Sequence, residues 1–329
     1  RFTHSYSYVS DSRYHNSGSP FIALVISEIS WRLYVNIYCL RDGSGPFCQS
    51  KILSRYLLAR YQNSAKLTVM KVVLNTRISN LEKFLYEVRF WDLDFRLMGA
   101  GGLVGHLKQL ASKDVLITYA RFNKRLDQSG ATPPGYRTFA IPGYGCHGFW
   151  WRGYKVTRDD LLVFPASNEL QSVSFEDFEV FTISVKISYL ERLVDNLCLK
   201  EIPDSADVVI RLNSTAAEIL RYQAGTIVRA ENGSLDPVAT QELTERLIIC
   251  AAQGRQAKIS PFRRRDLAVD RIVEYARNNS APTSDLEKLC RLARVSERTL
   301  QYAFRERYGI PPNVFVKRWN LNSARRLLQ

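Results

Sequence analysis

The sequence predicts an α+β protein: a small antiparallel barrel or sandwich with appended helices, then an all-α helix-turn-helix module. Three observations carry this. Short β-branched and aromatic runs recur at roughly ten-residue spacing in the middle of the chain. Apolar stripes at helical spacing follow them, and the last fifth holds two short amphipathic helices separated by a tight turn.

Charge divides the chain in the same places. Residues 1–85 hold 11 basic and 4 acidic groups, 86–261 hold 20 and 21, and 262–329 hold 15 and 7, giving +7, −1 and +8. A near-neutral body with a basic last fifth fits a sensor carrying a polyanion-binding module. At 46% apolar and 24% charged residues, the composition excludes a mainly disordered, collagenous or coiled-coil chain. The expected boundaries are an unassigned basic segment at 1–85, a sheet-and-helix body at 86–256, a linker at 257–266 and the helical module at 267–329. No motif stands out in 1–85, which we read as a small extra domain, a disordered stretch or non-native sequence. The chain opens on Arg1 and stops at Gln329 inside a helical pattern, so a fragment is expected.

In the body, strands are expected at Lys113–Phe122, Tyr136–Ile141, Gly148–Val156, Leu161–Phe164 and Phe178–Val185. Turn signals such as Pro133-Pro134-Gly135 and Pro142-Gly143 separate them. Helices are expected from the stripe Tyr189, Leu190, Leu193, Val194, Leu197, over Asn213–Arg229, and over Val238–Ala252 with Asp236 as N-cap before Pro237. Such helices complete the core or form a dimer interface, and we lean to a homodimer.

The aromatic cluster Phe139–Tyr154 offers an apolar effector pocket through Tyr144, Phe149, Trp150 and Trp151, with Arg121 and Arg137 placed to meet an acidic group. The blander reading sends one Trp into the core and leaves the other on the surface. Six scattered cysteines without a C-x-x-C pair, and only His4, His15, His106 and His147, predict no metal and no cofactor. The membrane-like stretch Phe21–Leu40 is interrupted by Glu28, Arg32 and Asn36, and its unbroken run Phe21–Ile26 is far too short to span a bilayer. No membrane partner is expected. With no signal-peptide pattern, the expected location is the cytoplasm.

The helical module is the most specific part. Asp270–Ala276 opens a helix, and Ser284-Asp285-Leu286-Glu287 reads as a capping box ahead of Leu286, Leu289, Cys290 and Ala293. The turn Arg294-Val295-Ser296 leads to a second helix with Ser296 as N-cap. On that helix Leu300, Ala303 and Phe304 fall on one side, and Arg298, Gln301, Tyr302 and Arg305 on the other. Arginine matches guanine edges, glutamine matches adenine, and tyrosine reaches a thymine methyl or a phosphate. Gly309 stops the helix and Pro311-Pro312 starts another, lined by Phe315, Trp319, Ala324 and Leu327.

Val269–Gln329, above all Ser296-Glu-Arg-Thr-Leu-Gln-Tyr-Ala-Phe304, Gly309-Ile-Pro-Pro312 and Arg318-Trp-Asn-Leu-Asn-Ser-Ala-Arg-Arg-Leu-Leu328, closely resembles the first half of the DNA-binding domain of AraC-type transcriptional regulators. That domain has seven helices and two helix-turn-helix motifs. This sequence matches the first motif and the start of the connecting helix, without the second. The resemblance places the base-facing positions on Arg298, Gln301 and Tyr302, and it implies a cupin-like barrel with dimerisation helices upstream. It makes Gln256–Asp266 the linker, with Arg263, Arg264 and Arg265 at phosphates. Arg294 departs from the pattern, since glycine is common at that turn. The function implied is an effector-responsive regulator that binds double-stranded promoter DNA, with a small-molecule effector of unknown identity and RNA polymerase as partners. An enzyme is not expected: the rival, a cupin-type enzyme with a nucleic-acid-binding tail, would need a richer histidine set than His106 and His147.

Overall fold

The computed structural model describes residues 69–165, 167, 169–199, 202, 208–231, 235–257 and 263–328. All fall in one unit running from Asn63 to Gln329. The stretch Phe21–Leu40, with most of 1–85, lies outside the described residues.

The architecture is α+β, an antiparallel sheet body followed by helices. Its strands form two open sheets rather than one closed barrel. One sheet contains β1 (Lys71–Ile78), β3 (Gly105–Ala111), β4 (Val115–Phe122), β6 (Tyr136–Pro142), β9 (Asp160–Val163), β11 (Phe178–Lys186), β12 (Val208–Arg211) and β13 (Arg255–Gln256), in the order β1-β3-β4-β11-β6-β9-β12-β13. The other contains β2 (Asp92–Leu97), β5 (Leu126–Ala131), β7 (Phe149–Trp151), β8 (Tyr154–Val156) and β10 (Glu169–Ser174), in the order β2-β5-β10-β7-β8.

A helix holds one side open. Between β1 and β2 the chain forms α1 (Leu81–Glu87), capped by Asn80, and buries Leu81 and Phe84. Phe84 stacks on Phe95 of β2 at 5.4 Å and meets Phe122 of β4 edge-on at 4.8 Å. The same helix contacts both β1 and β2, the edge strands of the two sheets, which are not hydrogen-bonded to each other. β1 itself lies upstream of residue 86. Its pairing with β3 extends the sheet body into the segment for which the sequence offered no motif.

β11 explains the layering. It is buried at every position but the last, as a central strand covered on both faces must be. Phe178, Val180 and Thr182 point into the space between the sheets. The alternate residues Phe181, Ile183 and Val185, also buried, belong to the opposite face. Helices α2 (Ile187–Asn196), α3 (Ser214–Arg229) and α4 (Pro237–Gln253) follow. α2 and α3 contact β6 and β11, and α4 packs on α2 and α3. Asn213 caps α3, and Asp236 caps α4 ahead of Pro237. Leu243, Leu247, Ile248 and Ala251 of α4 are all buried in this chain, so that stripe is not an open face.

Four helices complete the described chain: α5 (Arg264–Asn278), α6 (Leu286–Ala293), α7 (Glu297–Tyr308) and α8 (Pro312–Leu327). Their core joins Ile272, Leu289, Leu300, Phe304, Phe315 and Trp319, and it continues into Met98, Trp150 and Val173 of the sheet body. No described helix is long and apolar enough to cross a membrane.

Candidate nucleic-acid interface and ligand cavity

α6 and α7 form the helix-turn-helix. α6 starts one residue later than the capping box implied: Asp285, not Ser284, is the N-cap, accepting from the Glu287 amide at 3.0 Å. An aspartate's carboxylate and its two-residue reach serve the exposed amide directly, which leaves Ser284 outside the helix. α6 ends on Arg294 in the left-handed region, φ 56° and ψ 41°. A non-glycine residue there costs about 1 kcal/mol or more. The turn keeps the glycine geometry with an arginine in it, and the Arg294 carbonyl accepts from Arg264 Nη2 at 3.4 Å.

α7 is capped by Ser296, whose hydroxyl accepts from the Thr299 amide at 3.4 Å. Leu300, Ala303 and Phe304 are buried. Phe304 packs edge-on against Phe315 of α8 at 5.1 Å between ring centroids. On the other side Arg298, Tyr302 and Arg305 are exposed and Gln301 is half-buried. These four, with Thr299 and Arg265, line one open groove. Gln301 donates to Glu297 at 2.8 Å, which orients its amide.

The linker arginines have separate fates. Arg263 occupies the N-cap position of α5, its backbone amide donating to Asp266 Oδ2 at 3.0 Å, and its side chain stays exposed. Arg264 begins the helix. Arg265 packs its guanidinium over the Tyr302 ring at 5.0 Å and pairs with Glu306 at 2.9 Å. Arg265 thus joins the α7 face, a placement invisible from sequence because it depends on the crossing of α5 and α7. On α8, Ala324 and Leu327 are exposed and only Phe315 and Trp319 of the expected stripe are buried.

The rear of α7 is docked on the sheet body. Tyr308 donates to Asp127 Oδ1 at 3.1 Å, Trp150 Nε1 donates to the Glu306 carbonyl at 3.4 Å, and Arg125 donates to the Arg307 carbonyl at 3.3 Å. Gly309, the helix stop, holds a φ of +72° that strains any other residue, while the Arg125 guanidinium 2.8 Å from where a Cβ would sit can swing aside. Farther along, Asn322 of α8 closes a two-way bond with the Leu97 backbone, at 3.0 and 3.1 Å. Arg96 stacks on Trp319 at 3.8 Å from the ring centroid. Burial raises the Asp127 carboxyl above its usual range, despite the arginines 96, 277 and 307 near it, and pushes the Tyr308 hydroxyl well up. Sequence reasoning missed Asp127 and Tyr308, since nothing local marks either as a partner of the other.

The expected effector residues are divided. Phe149 and Trp151 line a cavity between the two sheets, with Phe84, Trp91, Phe122 and Phe178 among its walls. Its free volume is about 70 Å³. Trp150 points the other way, into the core of the helical module. Neither Trp is on the surface, because both faces of this sheet are covered. Tyr144 is exposed, with the Arg221 guanidinium 5.7 Å from its ring. Arg121 is exposed on β4 and Arg137 is buried on β6; neither reaches the cavity. Among the described residues no group of three or more His, Cys, Asp or Glu is placed to hold a metal.

The helix pair, its cap at Ser296 and its outward residues stand where the sequence motif places them. Among solved structures, the AraC-like transcriptional activator CuxR is similar at 14% identity and TM-score 0.40, over 79% of this chain and 94% of that one. ToxT from Vibrio cholerae O395 is similar at 10% identity and TM-score 0.23, over 79% of this chain and 82% of that one. No family model and no curated protein matches the chain.

Proposed function

We propose that this chain is a sequence-specific DNA-binding transcriptional regulator of the AraC type, whose sheet body senses a small-molecule effector. The observation that carries the reading is the outward face of α7. Arg298, Gln301, Tyr302 and Arg305 stand on a helix with a buried back, and Arg265 is stacked beside them. A helix so faced enters a major groove: Arg298 and Gln301 present donors and acceptors to base edges, while Arg263 and Arg264 meet phosphates. Effector binding shifts the population between arrangements of body and module that differ in DNA affinity. A homodimer reading two half-sites belongs to this proposal, through surface other than the buried α4 stripe.

The test is selection of a preferred duplex from a random library, followed by anisotropy titrations of the full chain at several salt concentrations. The logarithm of the binding constant falls steeply with the logarithm of salt concentration, because phosphate neutralisation releases counterions. Arg298→Ala costs about 1–3 kcal/mol on the selected duplex and little on random sequence. Joint substitution of Arg263 and Arg264 by Ala weakens every sequence alike. A flat salt dependence overturns the proposal.

A further inference from the structure

We infer that the cavity between the sheets takes an uncharged, largely apolar molecule bearing one hydrogen-bond acceptor, and that the five-stranded sheet passes its presence to α7. The second half rests on the regulator reading; the first does not.

The ligand chemistry follows from what the walls lack and what they leave unused. Among the described lining residues none is charged, and only Thr118, Thr182, Gln128 and Ser172 carry polar side-chain groups beyond the indoles of Trp91 and Trp151. Most of these groups are already engaged. Thr118 Oγ1 accepts from Gln109 at 3.2 Å, Thr182 donates to the Thr118 carbonyl at 3.4 Å, and Ser172 donates to Gln128 Oε1 at 2.9 Å. Two buried donors remain without an acceptor, Gln128 Nε2 and Trp151 Nε1. Their residues are only 5% and 1% exposed. A buried donor with no partner is rare and costs stability, and each of the two, belonging to a residue that lines one apolar cavity, is served by an acceptor carried on a bound molecule. A carboxylate or phosphate would be buried there without a cation. A sugar would bring many hydroxyls to a wall with little left to bond them. A compact ketone, ester or ether meets both conditions.

The transmission follows from strand register. Across the sheet, Phe95 pairs with Gln128, Gln128 with Ser172, and Ser172 with Trp151. This row lines the cavity. The adjoining row pairs Arg96 with Asp127, Asp127 with Val173, and Val173 with Trp150. Because side chains alternate along a strand, this second row faces the helical module, where Arg96 stacks on Trp319, Asp127 bonds Tyr308 and Trp150 bonds the Glu306 carbonyl. Each unpartnered donor is therefore one peptide unit from a residue that holds the C-terminal end of α7. A ligand that draws on Gln128 and Trp151 acts on Asp127 and Trp150 through the same strands, with no segment between them.

The experiment uses the full chain, ¹⁵N-labelled, with cyclopentanone and cyclohexanone as probes. Methylenecyclopentane and methylenecyclohexane serve as controls of matched shape without the acceptor. The ketones bind at least about tenfold more tightly than their controls and move the Trp151 indole and Gln128 side-chain amide resonances. Gln128→Met and Trp151→Phe, each shown folded by circular dichroism and thermal melting, lower that ratio at least threefold (~0.6 kcal/mol, from RT ln 3). Equal affinity for ketone and control, or no binding of either, overturns the site. In a second arm, saturating ketone changes affinity for the selected duplex by a factor of about 5–150, the ordinary range of allosteric coupling, and Trp150→Phe shrinks that factor. Ketone bound with DNA affinity unchanged overturns the transmission. Ketone bound by a chain that binds no DNA at any salt concentration overturns the regulator reading and leaves the ligand site standing.

Discussion

The helical module and the sheet body solve the same packing problem with contacts of different range. Leu300, Ala303 and Phe304 of α7 are buried together from positions within five residues of one another, and Phe315 arrives after one short turn. In the sheet body the partners are distant in sequence: Phe84 meets Phe122, and Gln128 faces Ser172. Local contacts form cheaply, whereas distant ones must first close long loops. The two regions are not independent, however. Trp150, Val173 and Met98 belong to the module's core while standing on the body.

The largest effects come from breaking one region and watching the other. Phe304→Ala, in the middle of the module's core, costs about 3–5 kcal/mol and, on the proposed function, abolishes DNA binding. Trp150→Ala costs a similar amount, yet the residue lies on a strand. If the shared core makes one cooperative unit, guanidinium unfolding of Trp150→Ala followed by amide exchange loses protection in α7 and in β10 together. Loss confined to the β7 strand would show instead that the module folds without its seat on the body.

This contrast also explains what could be read in the sequence. The Ser296 cap, the back of Leu300, Ala303 and Phe304, and the stop at Gly309 were legible because each depends on residues within one helical turn. The strands Val115–Phe122 and Phe178–Lys186 were legible from β-branched and aromatic content. β1 was not, although Val72, Leu74, Thr76 and Ile78 alternate with Lys71, Val73, Asn75 and Arg77, a period of two that the basic, motif-poor surroundings masked. β2, β5 and β10 carry the wall between cavity and module, and they escaped because strands rich in Asp, Gln, Ser and Gly lack the usual apolar signature. The split of Trp150 from Trp151 needed only alternation. Which face looked at which region needed the register, which no local pattern fixes.

A smaller effect sharpens the seam between the regions. Burial holds the Asp127 carboxyl above its ordinary range, so the folded state binds its proton more tightly than the unfolded chain does. The stabilisation is full below the unfolded value near 4 and is lost as pH rises through the raised folded value. The groups facing it are Arg96 on its own sheet, Arg277 of α5, and Arg307 and Tyr308 of α7. Asp127→Asn keeps an oxygen for the Tyr308 hydroxyl and removes the charge. Its thermal stability therefore exceeds that of the parent at pH 7, and the decline of stability between pH 4 and pH 7 flattens. A variant less stable than the parent at pH 7 would mean that the surrounding guanidinium groups rely on the carboxylate.

The smallest effect lies inside the module and separates its folding from the proposed DNA binding. Arg294 holds a left-handed conformation that costs a non-glycine residue about 1–2 kcal/mol, and glycine returns part of that through its greater freedom in the unfolded chain. Arg294→Gly is therefore expected to stabilise by about 0.5–1 kcal/mol, with the Arg264 bond to the residue 294 carbonyl retained because it uses only backbone. The arginine side chain is exposed at the turn leading into α7. If it reaches a phosphate, the same substitution weakens binding to all duplexes alike and lowers the salt slope by about one unit. Melting and salt titration of Arg294→Gly then move in opposite directions, and Arg294→Asn, which tolerates the same backbone region, follows both. Were the melting point to fall instead, the strain would be absent and the turn would owe its shape to the side chain.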